Sequence, residues 1–109
     1  MPACFSLEGS SMLPVFRPGE LVLLSDDRPG PGDCAVYLFQ GARLLHRVLS
    51  VTEKGAWLAD DAGRLDRHFV PFSDISGTAV SGGPLSRGRA GLAYSLTRRV
   101  LSRLFLSHG

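Results

Sequence analysis

At 109 residues, 44% apolar and 20% charged, the chain can bury one hydrophobic core, and its composition excludes a disordered or low-complexity protein. The net charge of +2 hides an asymmetry: residues 85–109 carry Arg87, Arg89, Arg98, Arg99 and Arg103 with no acid, so residues 1–84 are net acidic. Cys4 and Cys34 are too few for a disulfide framework and read as buried thiols of a reducing compartment, with a single bridge as the alternative. His46, His68 and His108 lack the spacing of a metal site, so neither metal nor cofactor is expected.

In chain order, Cys4 to Leu7 is a short strand leading into the Gly9-Ser10-Ser11 turn. Pro14 and Pro18-Gly19 punctuate the next stretch, and Leu21-Val22-Leu23-Leu24 reads as a buried strand. The alternating Pro and Gly of Asp26 to Asp33 mark a loop. Cys34 to Phe39 forms a strand, Gln40-Gly41-Ala42 turns, and Arg43 to Thr52 returns as a longer strand. Glu53-Lys54-Gly55 turns again into Ala56 to Ala59. A polar loop over Asp60 to Asp66 precedes two further extended pieces, Phe69 to Phe72 and Ile75 to Val80. Short strands at this spacing predict a mainly β fold, an antiparallel folded ribbon or small barrel, over residues 1–84.

After Gly82-Gly83-Pro84 the period changes. Ala93, Leu96, Val100, Leu101, Leu104 and Phe105 share one face of a 3.6-residue wheel, and Ser95, Arg98, Arg99, Ser102 and Arg103 share the other. The spacing predicts a basic amphipathic helix within residues 85–109. The longest apolar run, Cys34 to Phe39, is far short of the roughly 20 residues a membrane-spanning helix needs. No basic region precedes an apolar stretch at the N-terminus. The expected location is therefore the cytoplasm, either free or peripheral on a membrane surface.

A serine hydroxyl becomes a nucleophile when a base takes its proton and donors stabilise the developing oxyanion. Ser11 follows Gly9-Ser10, where a tight turn can aim successive backbone N–H groups at one point; by itself such a tripeptide is more often a polar turn or a helix cap. The wider pattern carries more. Gly9-x-Ser11-Met12-x-Pro14 is followed by Pro18-Gly19-Glu20-Leu21-Val22-Leu23, Gly32-Asp33-Cys34-Ala35-Val36-Tyr37, His46-Arg47-Val48 and Ile75-Ser76-Gly77-Thr78-Ala79-Val80. In this order the segments resemble the signal peptidase I and LexA-like serine peptidase superfamily over roughly residues 7–80.

The resemblance implies a β-rich peptidase domain and a nucleophile at Ser11. Lysine-dependent branches carry their base directly before Arg-Val, where this chain has His46. Its one lysine, Lys54, falls in a turn without the burial that would bring a lysine near neutral pKa. The chain thus looks like the endoplasmic-reticulum, archaeal and sporulation-type branch, with a serine–histidine dyad. Histidine suits a general base without tuning. An acid to orient His46 is expected from the 60–66 loop: Asp61 by alignment, with Asp66 or Asp60 as alternatives. The backbone N–H groups of Ser10 and Ser11 would form the oxyanion hole, and Met12 would line the substrate cleft.

The expected function is a serine endopeptidase that cleaves a precursor or signal-like peptide through an acyl-enzyme. The alternative is a catalytically weak or inactive peptide-binding module on the same fold. A LexA-like self-cleaving regulator is disfavoured by the missing lysine. The helix over 90–106 would meet an anionic membrane surface, a partner protein or its own β-core. Nucleic acid is not an expected partner, because the β-region is acidic and lacks a binding motif.

Overall fold

A computed structural model of the chain describes residues 3–7, 12–13 and 15–107. Among these residues seven strands, β1 (Ala3–Ser6), β2 (Leu21–Ser25), β3 (Cys34–Phe39), β4 (Ala42–Val51), β5 (Gly55–Ala59), β6 (His68–Pro71) and β7 (Ile75–Ala79), precede one α-helix, α1 (Gly88–Ser107). They form a single antiparallel sheet in the order β1-β2-β7-β3-β4-β5-β6. The fold is mainly β, and each strand lies within a few residues of the stretch expected to form it.

Local chemistry explains the centre of the sheet. β2 alternates, with Val22 and Leu24 buried and Leu21 and Leu23 exposed. β3 reads Cys-Ala-Val-Tyr-Leu-Phe, and its first four residues are buried on both faces, as a strand with packed layers on either side requires. A two-residue turn joins β3 to β4. Gln40 at φ +51° and Gly41 at φ +82° give it the positive-φ pair that matches the twist of a tight hairpin. That turn pairs Phe39 with Ala42, and the register then places Tyr37 opposite Leu44, Ala35 opposite His46 and Cys34 opposite Arg47. Side chains alternate along a strand, so His46 shares a face with Ala35 and Tyr37, and Arg47 occupies the other face.

Two buried clusters follow. One contains Leu7, Met12, Phe16, Val22, Leu24, Cys34, Val36, Leu45 and Ala79. The other contains Ala35, Tyr37, Val48, Ala56, Leu58 and Val70, with Phe39, Leu44 and Ile75 against it. The hydrogen-bonded ladder is open, with β1 and β6 as its edges, yet the sheet curls around the second cluster. Strands β3 and β6 are separated by β4 and β5, which in a flat sheet would hold them about 14 Å apart. Instead the Phe39 and His68 rings lie 4.3 Å apart, centroid to centroid. The β3–β6 half is therefore barrel-like.

The first turn of α1 is bound to the sheet. Arg47 Nη1 donates to Gly32 O at 2.8 Å and to Leu85 O at 2.7 Å, and Gly88 N donates to Asp33 Oδ1 at 3.0 Å. Close approach makes glycine necessary at two points. Gly32, at φ +91°, would place a Cβ 1.8 Å from Gly88 O, and a Cβ on Gly91 would lie 2.6 Å from Gly32 O and 2.5 Å from Arg47 Nη1.

Candidate functional site

The hairpin register sets Tyr37 diagonally across from His46, within reach for an aromatic side chain. Tyr37 Oη lies 2.7 Å from His46 Nδ1. The curl of the sheet brings β6 to the same point, and Tyr37 Oη lies 2.7 Å from His68 Nε2. His68 Nδ1 in turn lies 2.9 Å from the backbone O of Asp66. A continuous run of hydrogen bonds thus links His46, Tyr37, His68 and the Asp66 carbonyl. Tyr37 is fully buried and His46 is 6% exposed, while His68 is only half-buried.

Burial dominates the electrostatics here, because a charged form loses hydration that the interior does not replace. It lowers the His46 pKa from 6.5 to about 4, with Asp60 and Asp61 pulling upward and His68 downward. Burial also raises the Tyr37 phenol well above its ordinary value, assisted by the Asp60 carboxylate. At neutral pH the core of the cluster is a neutral imidazole against a neutral phenol.

The three candidate acids have other work. Both oxygens of Asp61 are gripped by Arg47: Nε donates to Oδ1 at 3.2 Å and Nη2 to Oδ2 at 2.7 Å, with both side chains fully buried. The position beside His46 Nδ1 expected for Asp61 is occupied by Tyr37. The physical reason is Arg47, whose buried guanidinium would otherwise lack a counter-charge. Asp60 is also fully buried, and its carboxylate accepts from the N–H groups of Arg64 and Leu65, each at 2.9 Å. It reaches His46 through its field. Asp66 has an exposed side chain and meets His68 through its backbone.

Ser10 and Ser11, the expected oxyanion donor and nucleophile, lie outside the described residues, as do Gly9 and Pro14. The flanks of that segment are held in place. Leu7 N donates to Glu20 O at 2.9 Å, Gly19 N to Leu7 O at 2.7 Å, and Phe16 N to Met12 O at 3.0 Å. Met12, expected to line a cleft, is instead 1% exposed in the first core cluster, where an unbranched thioether fills irregular space. Its Sδ accepts from Asp61 N at 3.4 Å. Lys54 is exposed in the β4–β5 turn.

Helix α1 braces both sides of this region. Arg98 Nη1 donates to Leu13 O, and Arg99 Nη1 donates to Asp60 O at 3.3 Å. With Gly91 and Ser95 buried against the body, Leu96, Val100 and Leu101 are 48%, 56% and 49% exposed. The apolar stripe read from the sequence therefore faces outward along these residues, and the side turned inward carries glycine, serine and arginine. Leu49, Asp66, Arg67, Leu96, Arg99 and Val100 line a groove of about 520 Å³ between this helix and the sheet.

The cysteines differ from the expected pair of buried thiols. Both are free, but Cys4 is exposed on the edge strand and only Cys34 is buried. Burial pushes the Cys34 thiol up to about 12, outweighing the Arg47 charge beside it. Among the described residues no group of three or more His, Cys, Asp and Glu side chains could hold a metal ion, and no helix is long and apolar enough to cross a membrane. Comparison with family models, curated proteins and solved structures found no match.

Tyr37 and His68 are the residues that sequence reasoning missed. Tyr37 was missed because the turn read from the sequence, Gln40-Gly41-Ala42, is one residue longer than the observed turn at Gln40-Gly41, and only the shorter turn gives the register that sets Tyr37 beside His46. His68 carried no signal, since it arrives through the curl of the sheet.

Proposed function

We propose that the chain is a serine endopeptidase similar to the histidine-base branch of the signal-peptidase superfamily, with Ser11 as nucleophile and His46 as base. The observation that carries the reading is His46 itself. It is a buried imidazole, kept neutral at physiological pH, with its Nδ1 held by Tyr37 Oη at 2.7 Å. A base must be unprotonated and oriented before substrate arrives. Burial keeps the ring unprotonated and the Tyr37 bond orients it, while a pKa of about 4 makes it a weaker base than the untuned histidine expected from the sequence. The ordered motif resemblance around Ser11 supplies the nucleophile.

In this reading His46 Nε2 takes the Ser11 hydroxyl proton as Oγ bonds to the scissile carbonyl carbon and the π pair moves to oxygen. Collapse of the tetrahedral intermediate breaks the C–N bond, and His46 returns the proton to the leaving amine. Water then attacks the acyl-enzyme, giving its proton to His46, which passes it to Ser11 Oγ as the acid departs. The transient imidazolium sits in the fields of Asp60 and Asp61, both of which favour its charge.

Substitution of the two residues in the purified protein tests this against a library of extended peptides. Ser11→Ala and His46→Ala should each abolish cleavage, and Lys54→Ala should leave it unchanged. Cleavage that persists in His46→Ala, or vanishes in Lys54→Ala, removes the assignment. Failure of a serine-acylating probe to label folded wild-type protein at Ser11 would favour the peptide-binding module.

The outward face of α1 supports one partner class, an anionic lipid surface. Its exposed Leu96, Val100 and Leu101 stand on a segment that has no acid and carries Arg87 and Arg89 exposed at its start, a pairing that favours interfacial binding to negative headgroups.

A further inference from the structure

Hydrogen bonds have direction, and the run from Asp66 to His46 has an end that cannot donate. The Asp66 backbone oxygen is an acceptor only, so the His68 Nδ1 that meets it at 2.9 Å must carry the proton. Neutral His68 then presents a bare Nε2, and the Tyr37 hydroxyl 2.7 Å away must donate to it. With its single proton committed there, Tyr37 Oη can only accept from His46 Nδ1, also at 2.7 Å. His46 is thereby held as the Nδ1–H tautomer, with Nε2 unprotonated.

The geometry points to Tyr37 and His68 as positioning residues that set the tautomer of His46 and leave Nε2 as its basic nitrogen. This rests on the peptidase reading for its purpose, though not for its geometry. The role is one that serine peptidases commonly give to a carboxylate, which holds the base in its useful tautomer. Here the pair does it without charge: a phenol is fixed by a second imidazole, and that imidazole by a main-chain carbonyl. Asp61 is bound instead to Arg47, and Asp60 to the N–H groups of Arg64 and Leu65.

The direction of the relay can be reversed by chemistry at position 68. His68 is half-buried on β6, so polar replacements there retain access to solvent. In His68→Gln the amide oxygen still accepts from Tyr37, preserving the direction. In His68→Lys the ammonium can only donate. Tyr37 Oη then accepts from it and turns its own proton toward His46 Nδ1, leaving the proton of His46 on Nε2.

The test is the His46 tautomer, read from ring 15N and 13C shifts at about pH 8, above the ordinary histidine range. Wild type and His68→Gln should show the Nδ1–H form, and His68→Lys the Nε2–H form. Wild-type His46 in the Nε2–H form, or an unchanged tautomer in His68→Lys, overturns the proposal whatever the activity. Where cleavage is present, His68→Lys should lower kcat by roughly 10²-fold with little change in KM, the scale of lost acid–base catalysis. Equal kcat in the two variants would also overturn it. Loss of the peptidase reading, by contrast, would appear as activity indifferent to Ser11→Ala with the tautomer pattern intact.

Discussion

Removing the Asp61 carboxylate separates two roles, since Asp61 is both the aligned candidate acid and the counter-charge of Arg47. In Asp61→Ala the guanidinium keeps its bonds to Gly32 O and Leu85 O but loses its balancing charge, with both side chains at 0% exposure. Breaking one side of a buried pair costs about 3–5 kcal/mol, against about 5–15 kcal/mol of total stability for a domain. With a urea slope of about 1.5 kcal/mol/M, the midpoint should fall by about 2–3 M. Arg47→Met and the double variant complete a thermodynamic cycle. The coupling should be near 3 kcal/mol, far above the ~0.2–1 kcal/mol of exposed pairs. Coupling under about 1 kcal/mol would refute the reasoning. So would an Asp61→Asn protein that is as stable as wild type yet loses cleavage, because Asp61 would then act on His46 directly.

Three further outcomes are expected. His46 titrates at about 4 when folded and near 6.5 when unfolded, so the unfolded chain binds the extra proton between those values. Its contribution is complete above pH 6.5 and is lost as pH falls toward 4, about 3 kcal/mol in all. Urea melts of wild type and His46→Gln across that window should converge as pH falls; parallel curves would contradict it. Gly91→Ala should destabilise α1 and lower the melting temperature, although alanine in an open helix position would add about 1 kcal/mol of stability. The reason is the missing space beside Gly32 O and Arg47, and a raised melting temperature would refute the contact. Sedimentation with vesicles should show binding to anionic but not zwitterionic lipid, weakened by salt and by Val100→Asp. Equal binding to both lipids would remove the electrostatic part of the argument.

Much of the fold was legible because strand period and turn chemistry are local. Val22 and Leu24 alternate with Leu21 and Leu23, the Cys34–Phe39 run is long enough for a buried strand, and Gln40-Gly41-Ala42 marks the hairpin turn, although Ala42 itself belongs to β4. The same locality gave the opposite faces of His46 and Arg47. The helix was legible too, yet its orientation was not. Apolar periodicity identifies a stripe but cannot say what it faces, and close packing at Gly91 with the bonds of Arg98 and Arg99 turned Leu96, Val100 and Leu101 outward.

The sequence by itself determined the strands, the helix and the isolation of Lys54 in a turn, all consequences of spacing along the chain. Only the tertiary structure decided who meets His46. Nothing in the chain order of Asp60, Asp61 and Asp66 distinguishes an orienting acid from a counter-ion. That choice came from burying Arg47, which required a carboxylate, and from curling β3 against β6, which set His68 on the far side of Tyr37. Contacts between distant segments depend on closure of the sheet, and spacing along one strand does not encode it.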